Sequence, residues 1–341
     1  MHFSLVSTIF NEAKRLRQTI ADLEAQTIKP AEIIITDAGS SDASWEILTE
    51  WQQQSAVPIV LLKEEGCNVA RGRNLAIKAA KYDLIVSTDF GCRFENSWLE
   101  KLLSHFSTDE RLEVVGGAYG VNLERLTTLP ARAEYILQNG YCIPLDKRFI
   151  VTSRSIAYKK YVWQKIGGYP EWLSLAGDDS TFWKLILEHG FKHTLSEHVG
   201  VYWERHQTLN QYKQEAFRYG KGDGESGINI RNTFSHIIET TLRYFGFPLT
   251  AIALFTLQKW FLVPFLCISL LGFRSHYKAF RNWRRLKSPT LSLVTLLYSF
   301  LMIEHLRFAY LKGYYLGTYK STPLQKSNKK QQKLTLKKYA G

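Results

Sequence analysis

The chain has 341 residues, room for one large domain or a domain with an appendage, and 45% of them are hydrophobic, enough for a sizeable core. With 44 Lys and Arg against 31 Asp and Glu the formal net charge is +13, so the favoured partner is negatively charged: nucleic acid, anionic lipid or a phosphorylated substrate. The four cysteines, Cys67, Cys92, Cys142 and Cys267, contain no CxxC pair, which argues against zinc and a disulfide scaffold and fits a reducing compartment.

The chain opens without the basic and apolar stretches of a signal peptide. Phe3 to Ile9 reads as a buried strand, and Glu12 to Ala25 as a helix with Ala13, Leu16, Ile20 and Leu23 on one face. Strand and helix patterns then alternate: Glu32–Thr36 before Trp45–Gln54, Val57–Leu62 before Val69–Lys81, and Asp83–Thr88 before Trp98–Phe106. This alternation predicts an α/β fold, a mostly parallel doubly wound sheet covered by helices. Such sheets bind ligands beyond the carboxyl ends of their strands, so the residues ending the strands, Asn11, Asp37 and Asp89, are the first candidates for a site.

Asp37 closes a buried strand, where its carboxylate can accept from a nucleobase N–H; Gly39 suits the tight turn that follows, and Ser40, Ser41 and Asp42 suit helix caps. In Val69-Ala70-Arg71-Gly72-Arg73-Asn74 two arginines oppose the dipole of the helix they open, which reads either as a diphosphate site or as an exposed basic first turn. Asp89, in Thr88-Asp89-Phe90-Gly91-Cys92, is placed to bind Mg²⁺ or Mn²⁺. Gly177-Asp178-Asp179 starts a helix, and its acids read either as caps or as a pair in which like charge raises one pKa to make a general base. Trp163, Trp172 and Trp183 read as sugar-stacking rings or as core, and His206, after Arg205, as a metal or phosphate contact or a surface histidine.

Residues 209–227 read as a helix running into a glycine-rich, mobile loop; its GxGxxG match, Gly222 to Gly227, follows a helix and not a strand, so it is no dinucleotide motif. From Gly246 apolar runs alternate with basic ones. The segment 274–287 holds Arg274, Lys278, Arg281, Arg284, Arg285 and Lys287, and 312–338 is crowded with Lys, a pattern that favours a membrane surface over nucleic acid. The composition predicts three segments: 1–240, a hydrophobic and basic helical region over 241–320, and a Lys-rich tail over 321–341.

Taken in order, these motifs resemble the family-2 glycosyltransferases, inverting enzymes of the GT-A fold. The resemblance covers roughly residues 3–225: Thr8 and Asn11; Asp37-Ala38-Gly39-Ser40-Ser41-Asp42, similar to DDGSxD; Ala70 to Asn74, similar to the ARN segment; Asp89 at the DxD position; Ser153 to Tyr158 with Gly167 to Leu173; and Gly177-Asp178-Asp179, similar to GED. It implies a nucleotide-sugar donor held by Thr8, Asn11, Asp37, Arg71 and Arg73, a divalent cation at Asp89, and Asp179, with Asp178 beside it, taking a proton from the acceptor hydroxyl. Trp172, Arg205 and His206 would face the acceptor or the diphosphate. Ala38 replaces the second Asp of the first motif, Gly91 replaces the second carboxylate of the DxD so that the cation has one fewer ligand, and Asp178 stands for Glu. In place of the QxxRW of polymerising relatives the chain has Gln214 with Arg218-Tyr219, one residue too far apart, which predicts transfer of a single sugar.

The acceptor implied is a glycan or a lipid-linked glycan, with membrane lipid as a further partner and no nucleic acid. The alternatives are a nucleotidyltransferase of activated sugars or lipids and a non-catalytic membrane-binding protein. Because nucleotide sugars are cytosolic, the catalytic domain is expected in the cytoplasm. The run 246–272 would be long enough to cross a bilayer once, and Pro289 to Ile303 would fall short unless Glu304 and His305 were drawn in. A single crossing would put 274–287 outside, against the positive-inside tendency. Both runs are therefore expected to dip into or lie along the cytosolic leaflet, with 274–287 held against anionic lipid and two true spans as the alternative.

Overall fold

The computed structural model describes residues 1–141, 149–257 and 259–322, together with Ser327. Cys142, Gln258, the side chain of Lys259 and nearly all of the Lys-rich tail lie outside the described residues. The chain forms two compact units. Of the described residues, the first holds 1–122, 149–204, Thr322 and Ser327, and the second 123–141 and 205–321, less Gln258. Packing thus groups the helices after residue 204 with the apolar region, whereas composition alone draws a border near 240.

The first unit follows the expected alternation: β1 (Ser4–Ile9), α1 (Ala13–Glu24), β2 (Glu32–Asp37), α2 (Ser44–Gln54), β3 (Ile59–Lys63), α3 (Val69–Ala79) and β4 (Leu84–Ser87). Then come β5 (Cys92–Phe94), α4 (Trp98–Thr108) and β6 (Val114–Gly120). The chain passes through α5 (Leu129–Leu137) of the second unit before β7 (Ile156–Lys159), α6 (Lys160–Lys165), α7 (Asp178–Glu188) and β8 (His193–Trp203).

The eight strands form one sheet in the order β3-β2-β1-β4-β7-β6-β8-β5. The strands β3, β2, β1 and β4 are parallel, β6 runs parallel to β8, and β4–β7, β6–β7 and β5–β8 are antiparallel. The sheet is therefore mixed. Its parallel half comes from the strand–helix alternation, and its antiparallel half from strands shorter or more polar than that pattern detects. Apolar residues on both faces of β1 and β2 place these strands centrally. Leu5, Ile9, Ile33 and Ile35 enter one core and Val6 and Ile34 the other. The chain leaves β1 toward β2 and β3, then returns to β4 on the other side of β1. The carboxyl ends of β1 and β4 thus flank the point where the strand order reverses, the place where such sheets open a crevice.

The second unit is helical: α5, α8 (Leu209–Ser226), α9 (Ile230–Thr241), α10 (Phe247–Leu257), α11 (Leu262–Gly272), α12 (Arg274–Leu286) and α13 (Leu293–Tyr319). The glycine-rich segment belongs to α8 and is no loop. A Cβ on Gly220 or Gly224 would stand 2.0 or 2.4 Å from a carbonyl oxygen of α13, and one on Gly313 or Gly317 of α13 would stand 2.1 Å from one of α8. Glycine there lets the two backbones touch.

The run 246–272 is not one long helix. It is divided into α10 and α11, 11 residues each, about 16 Å and so short of the roughly 30 Å hydrocarbon core. The later run is longer than its apolar stretch suggests. α13 reaches 27 residues and, among the described residues, is the one helix long and apolar enough to cross a membrane by length and composition. It takes in Glu304 and Arg307 because both are paired inside the unit. Glu304 accepts from Arg243 and Tyr244 at 2.9 Å each, and Arg307 lies 3.2 Å from the buried carboxylate of Glu239. The basic segment forms α12, which buries Ala279 and Asn282 and exposes Arg274, Lys278, Arg281, Arg284 and Arg285.

Candidate active site

The expected residues collect at the carboxyl edge of the parallel strands. Asp37, the last residue of β2, is fully buried. Its Oδ1 accepts from the Gly39 and Ser40 amides at 3.0 and 2.8 Å and from the Ser40 hydroxyl at 2.8 Å, which tightens the turn. Gly39 has φ of +92°, a conformation side chains rarely adopt. Oδ2 has no hydrogen-bond partner, and an orphaned buried carboxylate oxygen is costly unless a ligand meets it.

Asn11 and Asp42 hold this edge together. Asn11 Oδ1 accepts from the Ser41 amide at 2.8 Å, and the Asn11 amide donates to Ser40 Oγ at 2.9 Å. Asp42 accepts from the Ser44 amide at 3.0 Å and the Ala13 amide at 3.1 Å, serving the starts of two helices as its capping role requires. Thr8 packs against α3: its Oγ1 would lie 3.0 Å from a Cβ on Gly72, so the glycine allows the close approach.

Neither arginine of α3 stands as an open diphosphate ligand. Arg71 donates from Nε to Glu64 at 2.9 Å and lies 3.5 Å from Glu171. Arg73 is buried, its side chain 3% exposed, and faces three carboxylates from two further segments. Its Nη2 donates to Asp89 Oδ1 at 2.6 Å, and its Nη1 to Asp178 Oδ2 and, at 3.1 Å, to Asp179 Oδ1. What opposes the dipole at this helix start is thus compensated from within the chain. Burial, with the charge of Asp179 next, pushes the Asp178 carboxyl up to about 6, against the pull of Arg73.

A relay of hydrogen bonds positions Asp179. Asn74 Oδ1 accepts from the Tyr169 amide at 2.9 Å and from Trp163 Nε1 at 2.8 Å, fastening the turn at Gly167 and Gly168. The Tyr169 hydroxyl meets Ser153 Oγ at 2.8 Å, and Ser153 donates to Asp179 Oδ1 at 2.5 Å. Tyr169 is stacked on Phe182 of α7, ring centroids 3.9 Å apart, which joins the turn to the helix carrying the acids. Oδ1 of Asp179 is thus engaged by two donors, which leaves Oδ2 as its less engaged oxygen.

Sequence reasoning gave no role to Ser153 or Arg154. Arg154 lies on the Trp203 ring, 3.7 Å from its centroid, with Nε 3.8 Å from Asp89 Oδ2. Both residues precede β7, whose antiparallel course starts at the edge where β4 ends; strand direction, invisible in the sequence pattern, is the missing signal. Glu12 was also passed over. Its Oε1 would be 3.8 Å from a Cβ on Gly91, and burial, opposed by Arg15 and reinforced by Asp89, raises its pKa.

Of the aromatic candidates, Trp183 is core and Trp163 serves Asn74, while Trp172 is half-buried. Arg205 is not free for an acceptor or diphosphate. It is buried in the second unit, 3.1 Å from Glu134 and 2.7 Å from Glu215, and His206 lies 3.7 Å from Glu215.

A mixed α/β sheet of this order, with acids gathered at its reversal point, is of the GT-A type. Residues 4–167, just under half of the chain, match the family described as Glycosyl transferase family 2. Glycosyltransferase AglE of Haloferax volcanii is 22% identical over 239 residues, 68% of this chain and 77% of that protein. Chondroitin synthase of Pasteurella multocida is 27% identical over 141 residues, 41% of this chain but only 14% of the synthase. A mannosyltransferase of Pyrobaculum calidifontis, solved with GDP-Man and Mn²⁺, shares the fold with a TM-score of 0.54 at 14% identity, over 94% of this chain and 88% of that one.

Proposed function

We propose that the chain transfers one sugar, with inversion, from a nucleoside-diphosphate sugar to an acceptor hydroxyl of a glycan or lipid-linked glycan, from the cytoplasmic side of a membrane. The observation that carries this reading is the convergence of Asp89, Asp178 and Asp179 on the single guanidinium of Arg73 at the sheet's reversal point.

In this reading the buried, unpartnered Oδ2 of Asp37 accepts a nucleobase N–H. Thr8 and Asn11 shape the wall beside it. Arg73, and Arg71 at the rim, set the field around the diphosphate through the carboxylates they hold. Asp179 Oδ2 takes the proton from the acceptor hydroxyl as that oxygen attacks the anomeric carbon and the nucleoside diphosphate leaves. Ser153 and Arg73 keep the carboxylate aimed by holding its other oxygen. Asp178, with its raised pKa, stays protonated more readily and keeps the cluster's charge low.

The donor set suits a divalent cation in one respect: Asp89 Oδ2 is the oxygen Arg73 does not hold, with Arg154 Nε 3.8 Å from it, and Mg²⁺ or Mn²⁺ is commonly held by one carboxylate together with substrate phosphates and water. No group of three or more His, Cys, Asp or Glu able to hold a metal exists among the described residues. When bound, such an ion offsets the negative charge that grows on the leaving diphosphate.

Asp179→Asn tests the reading. It keeps the shape and hydrogen bonds but cannot take the proton, so the rate of transfer should fall by about 10²–10⁴ while calorimetric affinity for the donor stays within a few-fold. Wild-type turnover in this variant would remove Asp179 from the reaction.

A further inference from the structure

Between α8 and α13, within the second unit, lies a groove of about 650 Å³. Its lining includes Phe217, Phe308 and Ala309 together with Lys213, Arg218 and Lys312. No acid lines it, and none of the three cations has an ion-pair partner among the described residues. Gln214 and Arg218, the residues whose spacing misses the polymerising motif, both open onto it. The groove sits on a helix face with a second property. Running toward the start of α13 from Phe308, 52% exposed, the same face presents Leu301, Leu297 and Val294 at 50, 57 and 61% exposure. Their spacing of three, four and seven residues makes one stripe, about 21 Å long from Val294 to Phe308.

Three unpaired cations at one end of an uncovered apolar stripe complement an amphiphile with a compact anionic head. A free phosphate would leave the stripe bare, and a neutral lipid would leave the cations unpaired. A phosphate oxyanion offers acceptors to all three at once, including the fork of Arg218. We propose that this groove binds one lipid whose head is a bare phosphate monoester, its phosphate among Lys213, Arg218 and Lys312 and its chain along Phe308, Leu301 and Val294. The site is separate from the transfer reaction and does not rest on it.

The test is calorimetry on the full chain in neutral detergent at fixed ionic strength. The probes are monomeric dihexanoyl phosphatidic acid, dihexanoyl phosphatidylcholine and inorganic phosphate. Phosphatidic acid should bind one to one, at least ten-fold more tightly than either other probe. Arg218→Gln with Lys312→Gln should weaken it at least ten-fold, and Phe308→Ala should weaken it several-fold. Lys278→Gln with Arg281→Gln, a change of equal charge on exposed residues of α12, should leave it unaltered. All these side chains are exposed, and circular dichroism checks that each variant is folded. Equal affinity for phosphatidylcholine or for inorganic phosphate would overturn the proposal, as would equal weakening by the α12 pair, which would mark the binding as general attraction to positive charge.

Discussion

Arg73 offers the sharpest quantitative test of the site. Its guanidinium is 3% exposed, and the carboxylates it holds are 28, 15 and 19% exposed. Arg73→Met keeps much of the side chain's volume and removes the charge. Three carboxylates would then share one cavity with Arg154 as the nearest remaining cation, 3.8 Å from Asp89. Breaking a buried ion pair from one side costs about 3–5 kcal/mol because the stranded charge stays desolvated. The loss should depend on pH with a definite sign. Without Arg73 the carboxyl pKa values in the folded state rise above their unfolded values, so the folded chain binds more protons and recovers stability as pH falls. Urea unfolding followed by tryptophan fluorescence should show the full loss near pH 8 and a clearly smaller one near pH 5. A loss under about 1 kcal/mol at pH 8, or the same loss at both pH values, would refute the view that this residue neutralises a buried acidic cluster.

Three further outcomes follow from the same geometry. The Asp178 carboxyl is raised to about 6, so between roughly pH 4 and 6 the folded chain holds more protons than the unfolded one, and this group makes stability fall as pH rises through that window, by on the order of 3 kcal/mol. Asp178→Asn should flatten that part of the stability–pH curve, and an unchanged slope would show the shift is absent. Gly313→Ala would put a Cβ 2.1 Å from the Phe217 carbonyl oxygen and should cost about 1–3 kcal/mol by forcing the helices apart, seen as a lower thermal midpoint; an unaltered midpoint would mean the helices do not touch there. Asp37→Ala should weaken UDP or GDP, whichever the wild type binds, by at least ten-fold with unchanged Mn²⁺ dependence, and equal affinity in calorimetry would place the base elsewhere.

Much of the parallel half of the sheet was legible because its strands are apolar on both faces and its helices follow a regular period. Asp37 and Asp89 could be placed because a carboxylate ending a buried strand has one edge to emerge from. The roles of Arg71, Arg73 and Arg205 were not legible. A sequence displays a cation near a helix start but not the acids that reach it from residues 89, 178 and 179, or from 134 and 215. Ser153 and Arg154 depended on the direction of β7, and the continuous helix through Gly220 and Gly224 depended on a partner backbone that arrives only with α13. Glycine reads as a loop when its neighbour in space is unknown.

The glycine contact between α8 and α13 also bears on how the protein can be dissected. A cut near residue 240, where hydropathy changes, would spare every strand yet strip α8 of the helix it touches backbone to backbone, exposing a flat surface of glycines and main-chain carbonyls. α5 precedes β7 in the chain but belongs to the helical unit, so neither unit can be excised with a single cut. During synthesis the amino-terminal sheet can be completed once β8 emerges, whereas α5 and α8 must wait for α13. Until then the nascent chain carries an open helical seam, which makes α13 the segment whose loss should most promote aggregation.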